Sequence, residues 1–290
     1  MDKTLVIIIN YNSAVHTKEC LESFDWQTRQ DFDLMVVDNA SNPDDVAMLE
    51  RICNSRVMVV KSDVNLGFSG GNNIGLEYAL KNKYARVLLI NNDTTAPEDF
   101  MARLVEFSHL NPGAVISPQI RDYYNPGVIS YGGGDVSFFK GGVNIYGVGE
   151  QAEGYQAKSQ ITFAHGCCML IPLEVLEHVG MMPEEYFLYY EDTAYSRMIT
   201  QKGYGIMYQN DNFILHKECV STGKFSNLYQ YYFTRNRLAF VKGFIPFHWK
   251  PAAYLFTTAF LVKKVVTNKF SPAIVAEAIG AFLKGQMGKR

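Results

Sequence analysis

Four short apolar runs limit what this chain can fold into: "TLVIIIN" (4–10), "DLMVVDN" (33–39), "VMVVKS" (57–62) and "RVLLINND" (86–93). Each is apolar without alternation, the pattern of a strand buried on both faces. Helical patterns separate them: one with apolar positions Cys20, Leu21 and Phe24, then "DDVAMLERIC", then "GGNNIGLEYALKN". Repeated strand–helix alternation predicts an α/β fold with a parallel sheet and right-handed crossovers. Every run ends in polar residues: Asn10-Tyr11-Asn12, Asp38-Asn39, Ser62-Asp63 and Asn91-Asn92-Asp93. Ligands of such sheets bind beyond the carboxyl ends of the strands, so these four ends predict the lining of one pocket.

The rest of the chain reads differently. Residues 120–160, rich in Gly, Tyr and Asn, predict hairpins and loops. The stretch 163–205 reads as strand, helix, loop and helix, and "YYFTRNRLAFVKG" opens a helical tail. A chain of 290 residues accommodates one large domain and a smaller appendage, here divided as 1–240 and 241–290. Charge supports the division. Residues 240–290 carry eight basic residues and one acid, whereas the first 239 carry a net charge of −9. The total of −2 gives no electrostatic case for nucleic acid as a partner. Five cysteines, odd in number and without CxxC spacing, predict a reducing compartment rather than a disulfide framework or a zinc site. The opening run is too short for a secretory leader. The longest later one, "PAAYLFTTAFLV", is about half of the ~20 residues that span a bilayer. We therefore expect a cytoplasmic protein. Its basic amphipathic tail suits the inner face of the membrane as a peripheral contact, and equally suits helices docked on the body or a homo-oligomer face.

The first strand-to-helix turn, "NYNSAVHT", has no glycine. Both the dinucleotide fingerprint and the P-loop belong at this turn, and their absence argues against NAD-type oxidoreductases and P-loop NTPases. "NLGFSGGNNIG" (65–75) fits neither pattern. Its glycines, Gly67 and Gly71 among them, either let backbone approach a ligand at a helix N-terminus or let the helix pack closely.

Six ordered blocks then resemble family 2 glycosyltransferases, the rhamnosyltransferase-like branch above all. They are "VIIINYNSAVHTKECLESFDWQT", "LMVVDNAS", "NLGFSGGNNIGL", "LLINNDT", "YFLYYEDTAYSRMITQKGY" and "YYFTRNRL", and they cover about 1–240. The resemblance implies a GT-A nucleotide-diphospho-sugar transferase fold. Its central sheet is mixed but mainly parallel, flanked by helices, with the C-terminal helical tail appended. It also implies an inverting, metal-dependent sugar transfer onto a hydroxyl of a cell-surface polysaccharide precursor, lipid-linked. The implied donor is dTDP-rhamnose or a UDP-hexose. Rival readings are a non-catalytic nucleotide-sugar-binding module and a sugar nucleotidyltransferase, although the latter needs a Gly- and Lys-rich loop that "NYNSAVHT" lacks.

A departing nucleoside diphosphate gathers charge that a hard divalent cation, Mg2+ or Mn2+, stabilises through carboxylate oxygens. The family usually presents Asp-x-Asp at this strand end; here only Asp93 is anionic, with Asn91 left to touch sugar or ribose and Asn92 beside it. The competing role for Asp93 is a helix cap. The resemblance gives His216 a place in the metal or diphosphate site, with Ser221 and Gly223 in its loop, and gives Asp38 the nucleoside base, against a plain capping role. Asn10, Asn12, Asn39, Asn65 and Asn73 are further candidates for the donor pocket. Arg235 offers a phosphate a bidentate fork, or else an ordinary helix salt bridge. On the acceptor side the resemblance makes Asp192 the general base and Glu191 an acceptor-positioning acid. His165 and Gly166 in "FAHGCCMLIP" would border the acceptor, and Tyr190 would stack on its sugar. Where the family often has a further Asp, this chain has Ala194.

Overall fold

The computed structural model describes residues 2–217 and 226–290. Chain order alternates at first: β1 (Thr4–Asn10), α1 (Ala14–Asp25), β2 (Phe32–Asp38), α2 (Pro43–Ile52), β3 (Val57–Lys61), α3 (Gly67–Asn82), β4 (Arg86–Asn91). A short β5 (Thr94–Thr95), α4 (Phe100–Leu110) and β6 (Val115–Asp122) follow. The Gly-rich middle forms β7 (Ile129–Tyr131), the hairpin β8 (Gly134–Ser137) and β9 (Gly142–Ile145), and β10 (Gln160–Ile161). Then come β11 (Cys168–Pro172), α5 (Leu173–Val179), a 3-10 turn (Glu184–Tyr186), α6 (Glu191–Gln201) and β12 (Ile206–His216). The chain closes with α7 (Asn227–Phe244), a second 3-10 turn (Phe247–Trp249), α8 (Lys250–Val266) and α9 (Pro272–Leu283).

The main sheet runs β10-β12-β6-β11-β4-β1-β2-β3. The four strands read from the apolar runs are parallel, in a register that pairs Asn10 with Asp38, Ile9 with Asn91 and Asp38 with Lys61. Their polar ends therefore share one edge. β11 enters antiparallel between β4 and β6, which makes the sheet mixed and carries the loop before β11 to that same edge. β12 lies parallel to β6, and its last two residues pair with β5, so that His216 stands opposite Thr94.

The glycine-rich stretch opens α3. A Cβ at Gly75 would lie 2.4 Å from Ile7 Cδ1, and one at Gly71 would lie 3.1 Å from Ile9 Cδ1. These two glycines let α3 sit directly on β1, which is the packing reading of the two open at the sequence. Gly67 has φ +75°, and a Cβ there would stand 2.2 Å from the Phe187 carbonyl oxygen. That glycine lets the start of α3 touch the turn ahead of α6, where the Phe68 N–H donates to the Phe187 carbonyl at 2.8 Å.

Residue 240, where charge marked a boundary, falls inside α7. α8 buries Ala253, Thr257 and Leu261, and α9 buries Val275, Ala278 and Ala281. Both helices pack on α7. No helix among the described residues is long and apolar enough to cross a membrane.

Gly75→Ala should lower the stability of the fold by roughly 1–3 kcal/mol through overpacking, read by urea denaturation. The loss should shrink in an Ile7→Ala background, where the colliding atoms are gone.

Candidate active site

The edge is built around two polar clusters. In the first, Asp93 and His216 meet because β5 pairs with β12. Asp93 Oδ1 lies 3.2 Å from His216 Nε2, both side chains are nearly buried, and the Lys217 N–H donates to the Asp93 carbonyl at 3.0 Å. Burial works against the charge of Asp93, but the His216 ring, a backbone N–H and His16 together hold the carboxyl below its usual range. Asp93 Oδ1 still has no aligned hydrogen-bond donor. A buried, under-satisfied carboxylate oxygen beside an imidazole nitrogen fits a divalent cation. Donors on adjacent vertices of a small octahedral ion stand ~3 Å apart. Among the described residues no group of three or more His, Cys, Asp or Glu side chains forms a metal cage. Among the described residues this cluster brings together two side chains, Asp93 and His216, that could hold such an ion, and Ser221 and Gly223 lie outside the described residues.

The second cluster joins β1 to β2. Asn10, fully buried, donates from Nδ2 to Asp38 Oδ1 (3.0 Å) and Asp45 Oδ2 (2.7 Å), and accepts from Thr17 Oγ1 at 2.8 Å. Asp38 also accepts from the Ser41 N–H at 3.3 Å. Asn12 (φ 51°) accepts from Asn42 at 2.8 Å. Asn39 and Asn65 organise the glycine loop: Asn39 donates to the Gly67 carbonyl and accepts from the Leu66 N–H, each at 2.9 Å, while Asn65 accepts from the Gly67 N–H at 2.8 Å.

The acceptor-side residues arrive through the loop before β11. The Asn91 N–H donates to the Cys167 carbonyl at 2.9 Å, and the Gly166 N–H donates to Asp192 Oδ2 at 3.1 Å. A Cβ at Gly166 would stand 3.2 Å from Asp192 Cβ and 3.3 Å from Phe68 Cε1, so only glycine sits there without displacement. Asp192 Oδ1 accepts from the Thr193 N–H (2.6 Å) and hydroxyl (3.2 Å). Asp192 is not the cap of α6, because Tyr190 holds that position. Glu191 turns inward. Burial, reinforced by Asp192, pushes its carboxyl up to about 8, and Oε2 has no partner. Two adjacent acids thus sit in opposite environments, a protonated buried one and a partly exposed one tied to the sheet edge. His165 Nδ1 accepts from the Cys167 N–H at 3.1 Å, and its ring packs edge-on to Tyr131 and Phe163, so it shapes the loop.

Several expected ligand contacts are replaced by structural ones. Arg235 is 1% exposed and donates to the carbonyls of Gly288 (2.7 Å) and Tyr186 (3.1 Å), leaving neither a phosphate fork nor a helix salt bridge. Tyr190 is buried against Phe233 and Phe240, with its hydroxyl toward the Gly141 carbonyl, so it offers an acceptor sugar no ring face. Asn73 exchanges hydrogen bonds with the Met182 backbone and donates to Glu184 at 2.7 Å. Asn92 donates to Thr17 Oγ1 at 2.9 Å, and Gly71 packs on Ile9.

One positioning residue was missed. Phe187, Tyr189 and Tyr190 hold φ of 62°, 65° and 73°, a region that bulky side chains avoid. The Asn236 carboxamide pins this turn, reaching the Tyr186, Leu188 and Tyr189 carbonyls at 2.8 Å each. The signal was present in "TRNRL": an Asn within a helix pattern is a poor helix former and implies a side-chain partner. Two hollows, of about 320 and 400 Å3, are lined by none of these site residues.

Residues 5–180, more than half of the chain, match the glycosyl transferase family 2 model, and the chain belongs to that family. It is a glycosyltransferase of the GT-A fold. A curated relative is the low-salt glycan biosynthesis hexosyltransferase Agl10 of Haloferax volcanii, 26% identical over 241 residues, covering 82% of this chain and 75% of the relative. Among solved structures, the mannosyltransferase PcManGT of Pyrobaculum calidifontis, in complex with GDP-Man and Mn2+, superposes with a TM-score of 0.61 at 17% identity, covering 97% of this chain and 87% of that one. GalNAc-T7 with UDP, GalNAc and Mn2+ gives 0.59 at 16% identity, over 74% of this chain and 43% of that one. S. aureus TarS 1–349 gives 0.56 at 16%, over 88% and 70%. These three likenesses concern the fold.

Two measurements probe this region. Glu191 keeps its proton to a higher pH when folded than when unfolded, so folding binds a proton between about 4.5 and about 8 and stability falls as pH rises through that window. Glu191→Gln should remove this fall and gain roughly 1–3 kcal/mol over wild type at the alkaline end, read by denaturation at each pH. Asn236→Ala should free the strained turn and lower kcat roughly 100-fold while the donor KM stays near wild type.

Proposed function

We propose that the protein transfers a hexosyl unit, with inversion, from a pyrimidine nucleotide-diphosphate sugar to a hydroxyl of a lipid-linked glycan precursor. Residues 1–240 carry the chemistry and 241–290 form the supporting tail. The six sequence blocks favour dTDP-rhamnose as donor, with a UDP-hexose next. The hexosyltransferase and glycan-biosynthesis names of the Haloferax volcanii relative support the class of sugar and the kind of product. The observation that carries the reading is the short path across the edge: Asn91, one residue from the Asn92-Asp93 turn, bonds Cys167, and its neighbour Gly166 bonds Asp192.

Asp38 sits buried at the carboxyl end of β2 with its carboxylate held by Asn10 and Ser41, and in this reading it meets the N3–H of uracil or thymine at that edge. Tyr11, 46% exposed beyond β1, offers the base a ring face. Asp93 and His216 would hold Mg2+ or Mn2+, which offsets charge on the departing diphosphate when bound. Asp192 takes the proton of the acceptor hydroxyl. The oxygen lone pair forms the new bond to the anomeric carbon from the face opposite the diphosphate, and the bond to the diphosphate oxygen breaks. A neutral Glu191 adds no second charge beside the base. The lipid-linked acceptor places the reaction at the cytoplasmic face of the membrane.

The test is transfer and hydrolysis across a panel of nucleotide sugars, with and without Mn2+. Asp192→Asn should retain donor binding while turnover falls roughly 100- to 10,000-fold. Asp93→Asn should abolish the response to Mn2+. Full turnover by the Asp192 variant, or a purine-nucleotide donor preferred over every pyrimidine one, would overturn the assignment.

A further inference from the structure

We infer that the outward face of α8 is a docking surface for an anionic lipid bilayer. Leu255, Ala259, Val262 and Val266 follow one another at spacings of four, three and four, which places them on one face of a helix. All four are exposed, Leu255 at 73% and Val266 at 74%. The opposite face, Ala253, Thr257 and Leu261, is buried on the body. The apolar stripe is therefore the outer side of a docked helix. Phe247, 88% exposed, stands in the turn just before it, with Trp249 beside it.

Charge selects the occupant. No Asp or Glu occurs from Cys219 to Ala276, and Glu277 is paired with Arg290. Lys250 precedes the stripe and Lys263 lies within its span, with Lys242 and Lys269 further out. A two-fold contact between copies would lay this positive, acid-free face on itself. Anionic headgroups supply the missing countercharge, and an exposed aromatic at the helix entry suits the headgroup depth. The face is also mechanically linked to the site. Arg237 on α7 donates from Nε to Thr257 Oγ1 at 3.1 Å, and the next-door Asn236 pins the turn that leads to Asp192. A bilayer under α8 thus sits in fixed relation to the acceptor side.

This deepens the proposal of a lipid-linked acceptor, yet its test contains no sugar, so the two fail separately. The full chain is sedimented with phosphatidylcholine vesicles, with and without phosphatidylglycerol. Wild type should bind the anionic vesicles on the order of tenfold more than the neutral ones. Leu255→Glu with Val262→Glu should cut that binding roughly tenfold or more, and Lys250→Glu with Lys263→Glu should erase the preference for anionic lipid. Both pairs replace residues on the outer helix, and thermal unfolding verifies that each variant is folded; if the apolar pair is not, the lysine pair decides. The inference is overturned if wild type ignores anionic vesicles, binds both kinds equally, or binds unchanged in the folded variants. It is also overturned if light scattering shows a dimer that the apolar pair dissociates while vesicles go unbound.

Discussion

The backbone hydrogen bond from Asn91 to Cys167 is the contact on which the rest of the site depends. It exists because β11 returns antiparallel beside β4, with Cys168 opposite Ile90. A purely parallel sheet would place the residues before β11 at the opposite edge, far from the polar strand ends. With the return strand in place, the next residue, Gly166, reaches Asp192, and Ser196 on the following turn of α6 bonds the Ala164 backbone at 3.0 Å. Two anchors thus fix the start of α6 against the sheet. A helix start held that way tolerates little freedom in the chain leading into it. That constraint accounts for a turn with three bulky residues at positive φ, and for an Asn236 whose carboxamide is engaged with three of its carbonyls.

The parallel half of the fold was legible because burial on both faces writes itself as unbroken apolar runs, and the polar residues closing them had nowhere to go except the edge. Asp93 was singled out by that same pattern, whereas Asp192 was singled out only through the ordered blocks. What the sequence did not show was where each polar hydrogen is used. Arg235 and Asn73 look like ligand contacts by type, but both satisfy backbone carbonyls, a demand that is invisible until the turn around 182–190 exists. Gly71 and Gly75 fit a ligand loop and a packed helix equally well; only Ile9 and Ile7 beneath them decide. The approach of His216 to Asp93 rests on a two-residue strand, Thr94–Thr95, too short to carry any periodic signal.

Electrostatics divides the labour between the two halves. In the first, His216, a backbone N–H and His16 together outweigh the cost of burying the charge of Asp93. In the second, burial and a neighbouring acid push Glu191 up to about 8, leaving one acid of the pair uncharged. The Glu191–Asp192 pair therefore does not carry two charges. Like charges close together in a poorly solvated edge disfavour each other's ionisation, and a donor that brings its own diphosphate adds to that repulsion.

The run Asn91-Asn92-Asp93 follows from the same accounting of hydrogens and charges. Asn92 Nδ2 donates to Thr17 Oγ1 and to the Ser13 carbonyl, and Thr17 passes a hydrogen on to Asn10 Oδ1. An aspartate at 92 has no N–H to give and would set a carboxylate against the Ser13 carbonyl, so this position requires an amide. Asp38 and Asp45 already share the Asn10 amide at the same edge. An amide at 91, level with Ile9 in the register, spares the edge a further negative charge beside them. Position 93 differs because His216 faces it. A buried strand can end there on one charge because the His216 ring stands beside it, and the neutral amides at 91 and 92 leave room for the negative charge a nucleotide sugar would bring.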